Sequence, residues 1–135
     1  MRQIGNHPLW IGTARDARDL QLVLAAGIHA VVDLAAEEPP ANLGRDLIYL
    51  RFPIVDGGGN EEKRLRSLMA ALTSLIRDRV PTLVACRLGM SRSPTVAAVA
   101  FGQVHGLSVA SVMKLMDGPR DVSPSLLREL EAVMA

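Results

Sequence analysis

Apolar residues along this chain follow two spacings in turn. Short continuous apolar runs alternate with longer stretches in which apolar positions recur every three or four residues. HPLWIG (7–12), IHAVVDLA (28–35), DLIYLRFPI (46–54) and TLVAC (82–86) are of the first kind and predict strands, the second and last of them buried. ARDARDLQLVLAAG (14–27) predicts a helix with Leu20, Val23 and Leu24 on one face and Gly27 as its stop. NEEKRLRSLMAALTSLIRDR (60–79) is the clearest helix. Asn60 is placed to cap it, Glu61 and Glu62 suit its positive end, and Leu65, Leu68, Met69, Leu72, Leu75 and Ile76 form one core-facing stripe.

The C-terminal third predicts three further helices. Ser93-Pro94 opens the first, with Ser93 as N-cap and Pro94 in the first turn, and it runs to about His105 with Gly106 as its end. A second spans 108–116 behind Ser108. A third spans 124–134 behind Ser123-Pro124, with Leu126, Leu127, Leu130, Val133 and Met134 inward. Strands alternating with helices imply an α/β fold, a central and mostly parallel sheet of four to five strands flanked by helices. Ligands on such sheets gather beyond the carboxyl ends of the strands.

With 135 residues and no repeat, low-complexity tract or linker, residues 1–135 are expected to form one domain. The loop PIVDGGGNEE (53–62) is too short to divide two. Half of the chain is hydrophobic, yet only Trp10, Tyr49, Phe52 and Phe101 are aromatic, so Leu, Val, Ile, Ala and Met must build the core. A formal net charge of +1 with scattered signs calls for neither nucleic acid nor an anionic membrane as partner. One cysteine excludes an intramolecular disulfide and suits a reducing compartment. The N-terminus has no apolar signal core, and no apolar run approaches the ~20 residues that span a bilayer. A cytoplasmic protein is expected; its oligomeric state is not legible.

That one cysteine lies in VACRLGMSRSPTVAAV (84–99), between a predicted buried strand and a predicted helix. An unpaired cysteine is usually a small core hydrophobe. Here the context points elsewhere. In a loop curling from strand end to helix start, successive backbone N–H groups converge, Gly89 permits the turn, and the helix dipole favours an anion. Arg92 adds a planar, bidentate donor suited to phosphate or sulfate. Cys86 in that field is favoured as a thiolate. An oxyanion site touching a thiolate is what attack on a phosphate ester requires.

ACRLGMSRS resembles the His-Cys-x-x-Gly-x-x-Arg-Ser pattern of the dual-specificity branch of the protein tyrosine phosphatase superfamily. The resemblance extends through LWIGTARDARDLQLVLAAGIHAVVDLA, YLRFPIVD and VMKLMDGPRDVSPSLLRELEAV, nearly the whole chain. It implies a protein tyrosine phosphatase-like fold and a protein phosphatase acting on phosphotyrosine and phosphoserine/threonine, with no metal or other cofactor. It implies Cys86 as nucleophile, Arg92 as phosphate-binding arginine, and Asp56 as general acid. Ser93 would ease departure of the thiolate, and the loop Arg87, Leu88, Gly89, Met90, Ser91 and Arg92 would bind the phosphoryl oxygens through its amides. The chain departs from the pattern at Ala85, where relatives carry a histidine that braces the loop.

Two other readings remain open at this point, a phosphate-binding module without catalysis and a rhodanese-like sulfurtransferase, and a phosphomonoester other than a phosphorylated protein stays open as substrate. Leu88 and Met90 are expected to face outward around the pocket mouth. Gly57, Gly58 and Gly59 leave the acid loop free to open and close. Asp33, Asp46 and Asp121 read as structural or exposed, Trp10 as core. His7, His29 and His105 show no ligand spacing and are assigned no chemistry.

Overall fold

In the computed structural model, which describes residues 1–118 and 120–135, the strands and helices alternate as the pattern predicts. In chain order the elements are β1 (Arg2–Gln3), β2 (Leu9–Thr13), α1 (Ala14–Ala17), α2 (Leu20–Ala25), β3 (Ala30–Ala35), β4 (Ile48–Ile54) and α3 (Glu62–Arg77). They continue with β5 (Thr82–Cys86), α4 (Arg92–His105), α5 (Val109–Met113) and α6 (Pro124–Met134). The sheet runs β1-β2-β5-β3-β4. β2, β5, β3 and β4 are parallel, and only β1 is antiparallel to its neighbour. The TLVAC strand is therefore central and covered on both sides, which is why every one of its residues is apolar or buried.

Alternation along the strands sorts side chains into two cores. Val32, Val84 and Cys86 face the helical layer built by Leu65, Leu68, Met69, Leu72, Phe101, Leu126 and Leu130. Val31, Leu83 and Ala85 face a smaller cluster with Ala17, Val23, Ile28 and Leu43, flanked by Trp10 and Tyr49. Because four strands are parallel, the segments following β2, β3, β4 and β5 all leave the same edge of the sheet. Cys86 stands there opposite Thr13.

Four local expectations are corrected. The helix predicted over 14–27 is two short ones. Thr13 caps α1 through a reciprocal box with Asp16, and Asp19 caps α2 by accepting from the Leu22 amide, so the axis breaks at 18–19. A six-residue α2 turns only Val23 inward, leaving Leu20 and Leu24 38% and 52% exposed. Asn60 does not cap α3; Glu61 holds the N-cap position without a side-chain bond. Ser93 is not the cap of α4. Ser91 is, and Ser93 lies inside the first turn. α5 is shorter than 108–116, although Ser108 does cap it. The two-residue β1 is too short to leave a period in the sequence. α4 ends as expected, at Gly106 in the left-handed region (φ 68°), and α6 begins at Pro124.

Candidate active site

β5 ends at Cys86 and α4 begins at Arg92, and the five residues between them curl around the thiol. The Cys86 Sγ accepts from the amides of Gly89 (3.2 Å) and Ser93 (3.4 Å), and lies 3.3 Å from the Ser93 Oγ. The sulfur of this buried residue therefore sits among N–H donors at the positive end of a 14-residue helix. Gly89 makes the curl possible. Its φ is +68°, and a Cβ there would stand 2.9 Å from the Gly12 carbonyl oxygen.

The loop is held from outside by its carbonyl groups. Arg87 O accepts from the Ala14 amide (3.3 Å), Met90 O from the Asp121 amide (2.6 Å), and Gly89 O from Arg2 Nη2 (2.6 Å). Arg2 also donates through Nη1 to Asp117 O (2.5 Å). In a trans peptide the C=O and N–H point in opposite directions, so carbonyls tied outward aim the amides of the following residues inward. Ala85, where a histidine is common in the resembled family, is fully buried among apolar side chains on the opposite face and offers no polar brace.

Arg92, 8% exposed, lies over the same space. Its Nη1 donates to Glu37 Oε1 (2.7 Å) and Ile54 O (3.0 Å), and its Nη2 to Glu37 Oε2 (2.8 Å). Those bonds leave the Nε–H and one Nη2–H unengaged among the described residues, an edge of the guanidinium suited to an oxyanion. The Arg92 bonds hold the Glu37 carboxyl down at about 2, well below the usual carboxylate range, and Glu37 in turn raises the arginine's pKa. Glu37 was not legible as a site residue. It follows β3 in a segment that a second network fixes. Buried Asp33 accepts from Arg18 (2.9 Å) and the Tyr49 hydroxyl (2.5 Å), while Arg18 and Arg51 reach the carbonyls of Pro39 (2.6 Å) and Glu38 (2.5 Å).

Asp56 arrives from the loop after β4. Its Oδ1 accepts from the Ser91 hydroxyl (2.9 Å), and its backbone carbonyl accepts from Ser123 Oγ (2.6 Å). The glycine run behind it is tied at its far end. Glu129 of α6 accepts from the Gly59 amide (2.9 Å) and from Asn60 Nδ2 (2.9 Å). Asn60 bridges its own loop, accepting from the Val55 amide (2.8 Å) and donating to the Val55 carbonyl (3.0 Å). The far end of the three-glycine loop is tied by two side chains, Glu129 and Asn60, that sequence reasoning did not connect. Asn60 serves this loop instead of the α3 cap.

Cys86, Arg92, Asp56, Arg87, Leu88, Met90 and Ser91 line one cleft of about 580 Å³, together with Ala36, Glu37, Val55 and Asp121. Gly89 and Ser93 sit behind the thiol. Leu88 and Met90 are exposed at the mouth, as is Val55. Asp121 is exposed, as read; it also lines the cleft and braces the loop through its amide. Asp33 is structural. Far from the cleft, the fold stacks His7 and His105 around Phe101, ring centroids 4.6 and 4.2 Å from the phenyl ring. Burial, more than the neighbouring His105 and Arg79 charges, lowers the pKa of His7.

No protein-family model matches the chain. It is 30% identical over 117 residues to dual specificity phosphatase 28 of Mus musculus, an alignment covering 85% of this chain and 71% of that protein. It is 28% identical over 117 residues to dual specificity phosphatase 28 of Homo sapiens, spanning 65% of that protein's length. The crystal structure of human DUSP28 superposes with a TM-score of 0.82 at 22% identity, covering 98% of this chain and 94% of that one, a likeness of fold.

Proposed function

The chain belongs to the dual-specificity phosphatases of the protein tyrosine phosphatase superfamily, and from that premise we propose that it is an active, metal-independent phosphomonoester hydrolase working through a phosphocysteine intermediate on phosphorylated protein side chains. The observation carrying this reading is the convergence of the Gly89 and Ser93 amides on the Cys86 sulfur beneath the open edge of Arg92.

A phosphoryl group enters with its non-bridging oxygens on the inward amides of the loop and on Arg92. The Cys86 thiolate attacks phosphorus, forming the S–P bond as the P–O ester bond breaks. Asp56 gives its proton to the leaving oxygen. In the second step Asp56, now a carboxylate, takes a proton from water as that water attacks phosphorus. The S–P bond breaks, the Ser93 hydroxyl donates to the departing sulfur, and inorganic phosphate leaves. The 3.3 Å separation of Ser93 Oγ from Sγ supports that last role. The exposed Leu88, Met90 and Val55 make a mouth whose cationic charge comes from Arg87 and Arg92, consistent with a single phosphate on a protein side chain. Residues 1–135 act as one catalytic domain in this reading.

The test is hydrolysis of p-nitrophenyl phosphate by wild type and Cys86→Ser, in chelator and reductant. Turnover that vanishes in the variant is the expected result. A folded wild type without turnover would replace the hydrolase with a phosphate-binding module.

A further inference from the structure

A loop that must present its amides to an anion needs its carbonyls pulled the other way, and in this chain the charged group that does so comes from the N-terminal strand. We infer that Arg2 is a positioning residue for the phosphate loop, setting both its shape and the donor strength of its amides. The inference rests on the anion-binding role proposed above for residues 87–92.

Three outward carbonyls of the loop have donors outside it. Two of these donors are backbone amides, of Ala14 and Asp121; the third is the Arg2 guanidinium. It reaches Gly89 O at 2.6 Å across 87 residues of sequence and forks to Asp117 O at 2.5 Å. The acceptor at Gly89 is the sensitive one. Gly89 has a left-handed backbone, and its own amide donates to the Cys86 sulfur. The peptide whose oxygen Arg2 holds carries the Met90 N–H at its other end, directed into the curl. A charge-assisted bond to that oxygen is stronger than a neutral one, and it polarises the peptide so that its N–H becomes a better donor. The surroundings confine the guanidinium. A Cβ on Gly118, which has a left-handed backbone, would stand 3.0 Å from Arg2 Nη1, and Arg2 lines the back of the loop with Gly12, Thr13 and Asp16. Arg2 lines no part of the cleft that holds Cys86. It acts through the loop and not on the substrate.

The test reads anion binding directly. Iodoacetamide alkylation of Cys86 is followed at fixed pH with increasing inorganic phosphate, in wild type, Arg2→Met and Arg2→Lys, with thermal unfolding recorded for each. Arg2→Met keeps the length of the stem and removes the donor. It is expected to raise the half-protecting phosphate concentration about threefold to tenfold, part of the worth of a charge-assisted bond, because Arg2 acts through the loop and not on the phosphate. Arg2→Lys, with one point donor in place of a fork, should fall between the two. In turnover the loss should appear in KM more than in kcat. A folded Arg2→Met with wild-type phosphate protection overturns the inference, as does an effect confined to the unfolding temperature. If Arg2→Met does not fold, Arg2→Lys decides alone, and wild-type protection there overturns it. Protection needs no catalysis, so failure of the hydrolase reading and failure of the brace give different results.

Discussion

Glu37 and Arg92 meet fork to fork, two parallel hydrogen bonds of 2.7 and 2.8 Å joining carboxylate and guanidinium across 55 residues of sequence. The pair fixes the plane of the arginine and leaves its other edge toward Cys86. Glu37→Gln keeps the size and one acceptor but removes the charge that orients Arg92. The expected outcome is a rise of about threefold to tenfold in KM for p-nitrophenyl phosphate, with kcat less affected. Steady-state kinetics at neutral pH check it.

The same pair makes a statement about acid. The Glu37 carboxyl is held at about 2, below its ordinary 4.5, chiefly by the Arg92 hydrogen bonds. A carboxylate whose folded pKa is depressed contributes stability above its unfolded pKa and loses it as the pH falls through the folded one. Its contribution is therefore complete above about pH 4.5 and fades toward pH 2. Glu37→Gln should flatten the decline of stability with pH between those limits, as measured by urea unfolding. Glu37 is partly exposed, so the effect is a fraction of what the shift alone suggests.

Asp56 should reveal itself through the leaving group. Asp56→Asn is expected to lower kcat about a hundredfold on phosphoserine peptides, whose alkoxide needs a proton. On p-nitrophenyl phosphate, whose leaving group departs unaided, the loss should be much smaller. Equal losses on both substrates would assign the acid elsewhere.

Glu129 should give a weaker version of that signature. It touches Gly59 and Asn60, not the cleft, and its work is to hold the acid loop in place. Glu129→Ala is expected to reduce kcat on alkyl phosphates severalfold while leaving the alkylation rate of Cys86 unchanged. The contrast between turnover and alkylation separates a loosened acid loop from a damaged phosphate loop.

Gly89→Ala combines a backbone penalty with a collision. A positive φ costs a side-chain-bearing residue about 1 kcal/mol or more, and the added Cβ would press on the Gly12 carbonyl. Thermal unfolding should fall by several degrees, and Cys86 should lose its protection by phosphate.

How far the sequence announces all this depends on the distance over which each feature is decided. β5 is legible because a strand covered on both faces is a continuous apolar run. α3 is legible because its stripe repeats with the helical period, and the end of α4 because a left-handed residue favours glycine. Cys86, Arg92 and Asp56 stand out because a motif and a resemblance carry them. The partners that hold these groups do not stand out. Glu37, Asn60 and Arg2 are ordinary polar residues in sequence, and the groups they hold or bind lie 55, 69 and 87 positions away. No local pattern encodes such a pairing; parallel strands create it by bringing distant loops to one edge of the sheet. Asn60 illustrates the competition. Its spacing suits a helix cap, but tertiary contacts with Val55 and Glu129 claim the side chain.

The brackets around Cys86 also tie the site to segments far apart in the sequence. The loop of residues 87–91 is held by groups at positions 2, 14 and 121, and the acid loop by positions 123 and 129. Contacts of such sequence separation carry a loop-closure cost that only the folded chain repays. The cradle around the thiol therefore needs Arg2, Ala14 and Asp121 docked together, and the acid loop needs α6 as well. Protection of Cys86 by phosphate would then report that these distant segments are docked, while a chain in which one is detached carries its thiol without the cradle that gives it a use.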